Sequence, residues 1–207
     1  MTTEMKAKLG RASEDPKGRI VRAARNLFFS EGFDKVSVER LAKAANVSKS
    51  TLYKYFGDMR GVLKAVVEAE ADQFSFEPEG PLDTAQALRD HLTGLGAALL
   101  TLIDKPEKIQ FDQLIHEQAR SHPKLAEVYF ETIYLPMQHL LTGHIERGQV
   151  FGLFRANADP EVLADQLLSM WLGLGRIRTL LNASPGDVIS PDVRSREAVE
   201  TLSATWA

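Results

Sequence analysis

The 207-residue sequence predicts an all-α fold: an N-terminal module of three helices in helix-turn-helix order, then a larger helical body. Three observations predict it. Apolar residues recur at three- and four-residue spacing along the long segments, the period of a helix with one buried face. Ser or Asp precedes several of these segments and Gly or Asn follows some, residues that cap helices. No segment alternates polar and apolar residues between hairpin turns, so nothing reads as a strand.

Residues 1–16 carry Lys6, Lys8 and Arg11 without an apolar face and read as a flexible arm, either disordered or laid on a nucleic-acid backbone. A first helix over about 17–30 buries Ile20, Ala23, Ala24, Leu27 and Phe28. Gly32 ends it, because glycine accepts the left-handed backbone found past a helix C-terminus. Phe33 and Val36 turn back to the core. Arg19, Arg22 and Arg25 make a basic edge, explained equally by a solvated face and by phosphate contact.

The second helix, about 38–45, starts on Ser37 as N-cap and buries Leu41, Ala42 and Ala45. Asn46 makes the turn, since asparagine tolerates positive φ. Val47 anchors that turn, and Ser48 caps the third helix, Lys49 to Tyr55. So short a helix cannot hold itself in water, and tertiary packing must brace it. Leu52 and Phe56 face inward, leaving Lys49, Ser50, Thr51, Tyr53, Lys54 and Tyr55 as surface.

Asp58 caps a fourth helix over about 59–74, with Val62, Leu63, Val66, Val67 and Ala69 on its apolar side. The run PEGPLD, 78–83, reads as a linker, and Asp83 with Gln86 as a capping box. Further helices are expected at about 84–102, 107–120, 124–147, 160–181 and 192–205, the third bent at Pro136. Asp159 followed by Pro160 is a start signal, N-cap then first helical residue.

Charge divides the chain the same way. Residues 1–60 hold 13 Lys+Arg and 7 Asp+Glu; the remainder holds 12 and 21. A basic segment on an otherwise acidic chain points to nucleic acid. With no cysteine, disulfides, thiolate metal sites and thiol chemistry are excluded. The polar N-terminus lacks a signal-peptide core and no apolar run is long enough to span a membrane, so the cytoplasm is the expected compartment. Among the five histidines, His139 and His144 fall off a common helix face and no HExxH occurs, so no metal and no cofactor is expected.

The stretch Gly32 to Leu63, GFDKVSVERLAKAANVSKSTLYKYFGDMRGVL, and above all its NVSKSTLYKYF, resembles the TetR family of bacterial transcriptional regulators. HEQARSHPKLAEVYFE from His116 and ADPEVLADQLLSMWLGLG near the end look like the bodies of its AcrR-like branch. The resemblance implies a flexible arm over 1–16, a DNA-binding domain over 17–63 and a regulatory, dimerising body over 64–207. It implies a homodimer, usually a repressor, whose last two helices pair across a two-fold axis and whose body holds a small-molecule effector that moves the fourth helix. Thr51, Tyr53 and Tyr55 match family positions that contact double-stranded DNA. Family members often carry a phosphate-clamping lysine where this chain has Met59; Arg60 follows, so either Arg60 takes over the clamp or the clamp is absent. Asn46 stands where the turn is usually glycine.

The chemistry agrees. Lys and Arg contacts to phosphate release counterions and give salt-sensitive affinity. Hydroxyls of Ser37, Ser48, Ser50, Thr51, Tyr53 and Tyr55 bond phosphate and fix register, while Lys49, Ser50, Thr51 and Lys54 are candidates to reach base edges. In the body, Leu95, Leu99, Phe111, Tyr129, Tyr134, Met137, Phe151, Met170 and Trp171 are the candidate pocket lining, suiting a mostly apolar, flat effector. Ordinary core explains each of them singly. His91, His116, Gln113, Gln138 and Arg176 are the polar groups that could orient it. Gly173 and Gly175 are read as sites of close helix approach, by a partner subunit or within the body. Two other readings remain: a DNA-associated protein without sequence discrimination, and a small helical enzyme. The second lacks a cysteine nucleophile, a glycine-rich phosphate loop, a paired metal motif and any triad arrangement of its Ser and His residues.

Overall fold

A computed structural model describes residues 15–71, 80–183 and 189–204. Residues 1–14 of the expected arm, part of the linker and the end of the fourth helix lie outside them; the first helix begins at Pro16, within the arm's expected bounds. The chain divides into two compact units, Met1–Gln73 with Leu114–Tyr129, and Phe74–Gln113 with Phe130–Ala207. The described residues form α-helices with short 3-10 and π turns and no strand.

In the first unit, α1 (Pro16–Glu31) buries Ile20, Ala24 and Phe28. It ends at Gly32, whose φ of 85° suits glycine and whose N–H donates to the Phe28 carbonyl. A 3-10 turn, Phe33–Lys35, then sets the Phe33 ring edge-on to Phe28 at 5.1 Å. Helices α2 (Val38–Ala44), α3 (Lys49–Phe56) and α4 (Met59–Ala71) follow. Asn46 takes φ 53° in the turn, and the Val47 N–H returns to the Ala42 carbonyl. The basic edge of α1 has structural partners: Arg19 donates to the Ala45 carbonyl at the end of α2, and Arg25 pairs with the buried Glu70 of α4 while lying 4.6 Å over Phe29. Helix α7 (Pro123–Tyr129) packs on α4, and Gln118 donates to Asp34 at 3.1 Å.

In the second unit, α5 (Ala85–Ile103) starts on Thr84, whose hydroxyl accepts from the Ala87 N–H. Asp83 is therefore not the cap, and Gln86 bonds Asp90 one turn on. The first half of α6 (Pro106–Ala119), a π turn (Phe130–Tyr134), α8 (Leu135–Val150), α9 (Pro160–Leu180) and α10 (Pro191–Ala204) complete it. Pro136 falls in the first turn of α8, where its missing N–H costs nothing, and the irregularity sits in the π turn before it.

Leu88, Leu92, Leu141, Ile145, Leu163, Leu167, Trp171 and Val199 form the buried centre. Gly96 allows α5, α9 and α10 to close on one another: a Cβ there would fall 2.2 Å from the Ser195 hydroxyl and 2.4 Å from the Trp171 ring. Ser195 itself is buried and donates to the Thr93 carbonyl at 2.7 Å. Asp159 caps α9 through the Glu161 N–H, as its sequence signal predicts. One feature of α9 departs from the uninterrupted helix expected over 160–181. Gly173 is non-helical, at φ 52° and ψ −165°, and kinks it. Against that kink lies the Arg194 guanidinium of α10, so close that a Cβ on Gly173 would fall 2.3 Å from its Nη1. Here the glycine serves a bend and a side chain of the same chain.

Candidate nucleic-acid interface

Two serine caps start the helices of the reading motif. Ser37 Oγ accepts from the Arg40 N–H at 3.2 Å, and Ser48 Oγ from the Thr51 N–H at 3.1 Å. Ser48 also lies 2.7 Å from Ser50 Oγ and 2.8 Å from Thr51 Oγ1, so three hydroxyls cluster on the first turn of α3. That turn carries the positive end of the helix dipole and free backbone N–H groups, a natural place for phosphate.

Leu52 pins α3 from behind with no exposed surface, while Phe56 is half-buried rather than enclosed. The outward face holds Lys49, Ser50, Tyr53, Lys54 and Tyr55, all exposed, with Thr51 half-exposed at its edge. Tyr53 and Tyr55 are 49% and 42% exposed, unusual for aromatic residues, which dominate cores when nothing else calls them out.

The cations around this face differ. Lys49 pairs with Glu39 of α2, Arg40 with Glu31 of α1, and Arg60 with Asp58 at 2.8 Å. Hydrogen bonding from Lys49 holds the Glu39 carboxyl below its ordinary range, and from Arg40 that of Glu31. Asp58 is likewise lowered, first by the Gly61 N–H it caps and then by Arg60. These are surface pairs, which water and salt screen, so a duplex phosphate can displace the carboxylate. Lys54 has no partner among the described residues and is free from the start.

All nine sequence-assigned positions fall in the first unit. Ser48 to Tyr55 share α3 and its cap; Ser37 starts α2 and Arg60 opens α4, where its guanidinium lies against Asp58. The structural partners of Arg19 and Arg25 were not foreseen, because residues 26 and 45 positions away carry no local signal.

The assigned pocket residues are less unified. Leu95, Leu99, Met137 and Trp171 join one buried cluster, with Met170 and Phe151 packed against it. Phe111 is buried outside that cluster, and Tyr134 lies in the π turn. Tyr129 belongs to the first unit, as does His116. Among the polar candidates, Gln113 donates to the Thr179 carbonyl and Asn182, Arg176 pairs with Asp112, and His91 faces His144 with ring centres 4.8 Å apart. Among the described residues, no three His, Asp or Glu side chains are grouped to hold a metal ion, and no helix is long and apolar enough to cross a membrane.

Residues 20–66 match the family model described as bacterial regulatory proteins, tetR family. Residues 90–205 match that of the AefR-like transcriptional repressor, C-terminal domain. The chain is 29% identical over 163 residues to the HTH-type transcriptional regulator YdeS of Bacillus subtilis (strain 168), covering 78% of this chain and 79% of that protein. A TetR transcriptional regulator from Agrobacterium tumefaciens has a similar structure, with a TM-score of 0.76 at 26% identity over 92% of this chain and 94% of that one. The flavonoid-responsive regulator FrrA is similar too, with a TM-score of 0.74 at 25% identity over 92% and 95% of the two chains.

Proposed function

Because the chain belongs to the tetR family and is a DNA-binding transcriptional regulator, we propose that it acts as a homodimeric, effector-released repressor. In this reading two copies of α3 enter successive major-groove faces of an approximately palindromic operator. The observation that carries it is the outward face of α3: exposed tyrosines, serine and lysines on a short helix fixed by Leu52 and a serine cap.

The roles follow from reach and charge. The hydroxyls and Lys54 hold the phosphate backbone; Lys49, Ser50 and Thr51, on the first turn, face the bases. Arg60 supplies the clamp at the start of α4 by exchanging Asp58 for a phosphate. Support for dimerisation comes from α9, which exposes Leu174, Ile177 and Leu181 at i, i+3 and i+7, an apolar stripe that a second copy would cover. The repressing sign follows the description of the matched C-terminal domain. The flavonoid response of FrrA makes small, largely apolar organic molecules the first effectors to screen.

The test is selection of DNA fragments by the purified full chain, followed by sequencing. A two-fold symmetric motif, bound several orders of magnitude more tightly than random duplex, is expected. Binding that tracked salt alone, with no shared motif, would overturn the reading in favour of a non-specific binder.

A further inference from the structure

The body contains a cavity of about 230 Å³ beside the kink in α9; none of the apolar and aromatic pocket residues assigned from the sequence lines it, but Arg176, one of the polar groups assigned there, does. Its apolar wall is Leu100 and Ile103 of α5, Ile109 of α6 and Leu172 of α9; three guanidinium groups, Arg178 and the pair Arg176 and Arg194, outnumber one carboxylate, Asp104, in its lining. The two arginines are in different states. Arg176 is buried, pairs with Asp112 and donates to the Ile103 carbonyl at 3.0 Å. Burial lowers its pKa, with Asp104 acting the other way. Arg194 is half-buried against Gly173 and has no hydrogen-bond or ion-pair partner for its side chain among the described residues. Asp104, exposed at the same cavity, makes no hydrogen bond or ion pair with Arg194 among the described residues, which leaves a half-buried guanidinium that an anion can join.

We propose that this cavity is an effector site, and that the effector is a small carboxylate with an apolar body. Its carboxylate sits on Arg194, beside the Arg176–Asp112 pair, and its chain or ring lies along Leu100, Ile103, Ile109 and Leu172. The volume is below the range of about 300 to 1,000 Å³ typical of drug-sized ligands, which limits the body to a single ring or short chain. The site rests on the regulator reading above and deepens it.

The site is compatible with dimerisation. At 100° per residue, Gly175, Arg176 and Thr179 face one side of α9, whereas the exposed Leu174, Ile177 and Leu181 face the opposite side. A second copy on the apolar stripe leaves the cavity open. The glycine kink is the element that binding would bias, because Arg194 is packed directly on it.

Calorimetric titration of the full chain with benzoate and octanoate, and with the neutral benzamide and octanamide, tests the assignment. At least one carboxylate is expected to bind, and its amide to bind about tenfold more weakly or worse, the loss of a charge-assisted contact. Arg194→Gln is expected to remove that preference, and Arg194→Lys to restore part of it. Far-ultraviolet circular dichroism and a cooperative urea transition matching the wild type's show that both variants fold. Equal binding of acid and amide, an unaltered preference in Arg194→Gln, or no binding of either acid at millimolar concentration would each overturn the carboxylate site. Failure of the unliganded wild-type chain to select an operator would instead sink the regulator reading itself.

Discussion

The head and the body put polar residues to opposite uses. In the head, hydroxyls and lysines stand outside on a short helix, and the residues behind them, Leu52, Leu41 and Val66, are apolar, with the buried Glu70 taken up by Arg25 away from that face. In the body, polar residues go inward: Arg176, Asp112 and Ser195 are buried, and His91 and His144 face each other with Nε2 atoms that have no hydrogen-bond partner among the described residues. A surface that must grip an external polymer keeps its polar groups in water until contact. A surface that must respond to a small molecule keeps its polar groups dry, where one added charge has a large effect.

The comparison can be broken most forcefully through the cores. Trp171→Ala, in the fully enclosed centre of the body, is expected to cost about 3 to 5 kcal/mol, and Leu52→Ala in the head about 2 to 5 kcal/mol. Denaturant unfolding followed by far-ultraviolet circular dichroism, alongside operator binding, tells them apart. Leu52→Ala should lose operator binding before the body unfolds; simultaneous loss would mean that the two regions do not differ in the way argued.

Next come the contacts on α3. Lys54→Ala should weaken binding to matched and mismatched duplexes alike and reduce the salt slope by about one unit. Thr51→Ala should instead relax discrimination at one base pair, by about 1 to 3 kcal/mol. Binding titrations on single-base variants of the operator at several salt concentrations check both.

The body should respond to acid through its histidine pair. Burial, and secondarily the charges of His91 and Arg147, pull the His144 pKa down to about 4, and burial lowers that of His91. The folded body therefore keeps His144 neutral while the unfolded chain takes up its proton. Stability is full above about pH 6.5 and is lost progressively as pH falls towards about 4, by roughly 1 to 2 kcal/mol given partial solvent screening. Urea midpoints measured across that window should show the slope, and His144→Phe should flatten it. The smallest effect expected is that of Ser48→Ala, about 1 kcal/mol from loss of the α3 cap, read as a lower midpoint of the head with the body unchanged.

The legibility of the two regions differs for the same reason. Ser37, Ser48, Asn46, Asp58 and the inward Leu52 act on neighbours within four or five residues, so the motif could be read along the chain. Thr84 displaced Asp83 as a cap, because either residue suits the position and only the backbone trace chooses between them. The pairs Arg25–Glu70, Arg19–Ala45 and Arg176–Asp112 span tens of residues and leave no periodic mark. The expected apolar lining became packed core because Leu, Met and Trp at helical spacing fill space wherever helices meet; a cavity is a property of what fails to meet.

By itself the sequence determined the all-helical class, the helix-turn-helix and its outward residues, because period, caps and charge are local quantities. Only the tertiary structure decided that Leu114–Tyr129 assort with the head unit, that Gly173 bends α9 under Arg194, and that a charged cavity opens beside the bend. Those outcomes depend on which distant side chains compete for the same volume, and close packing settles that competition in three dimensions.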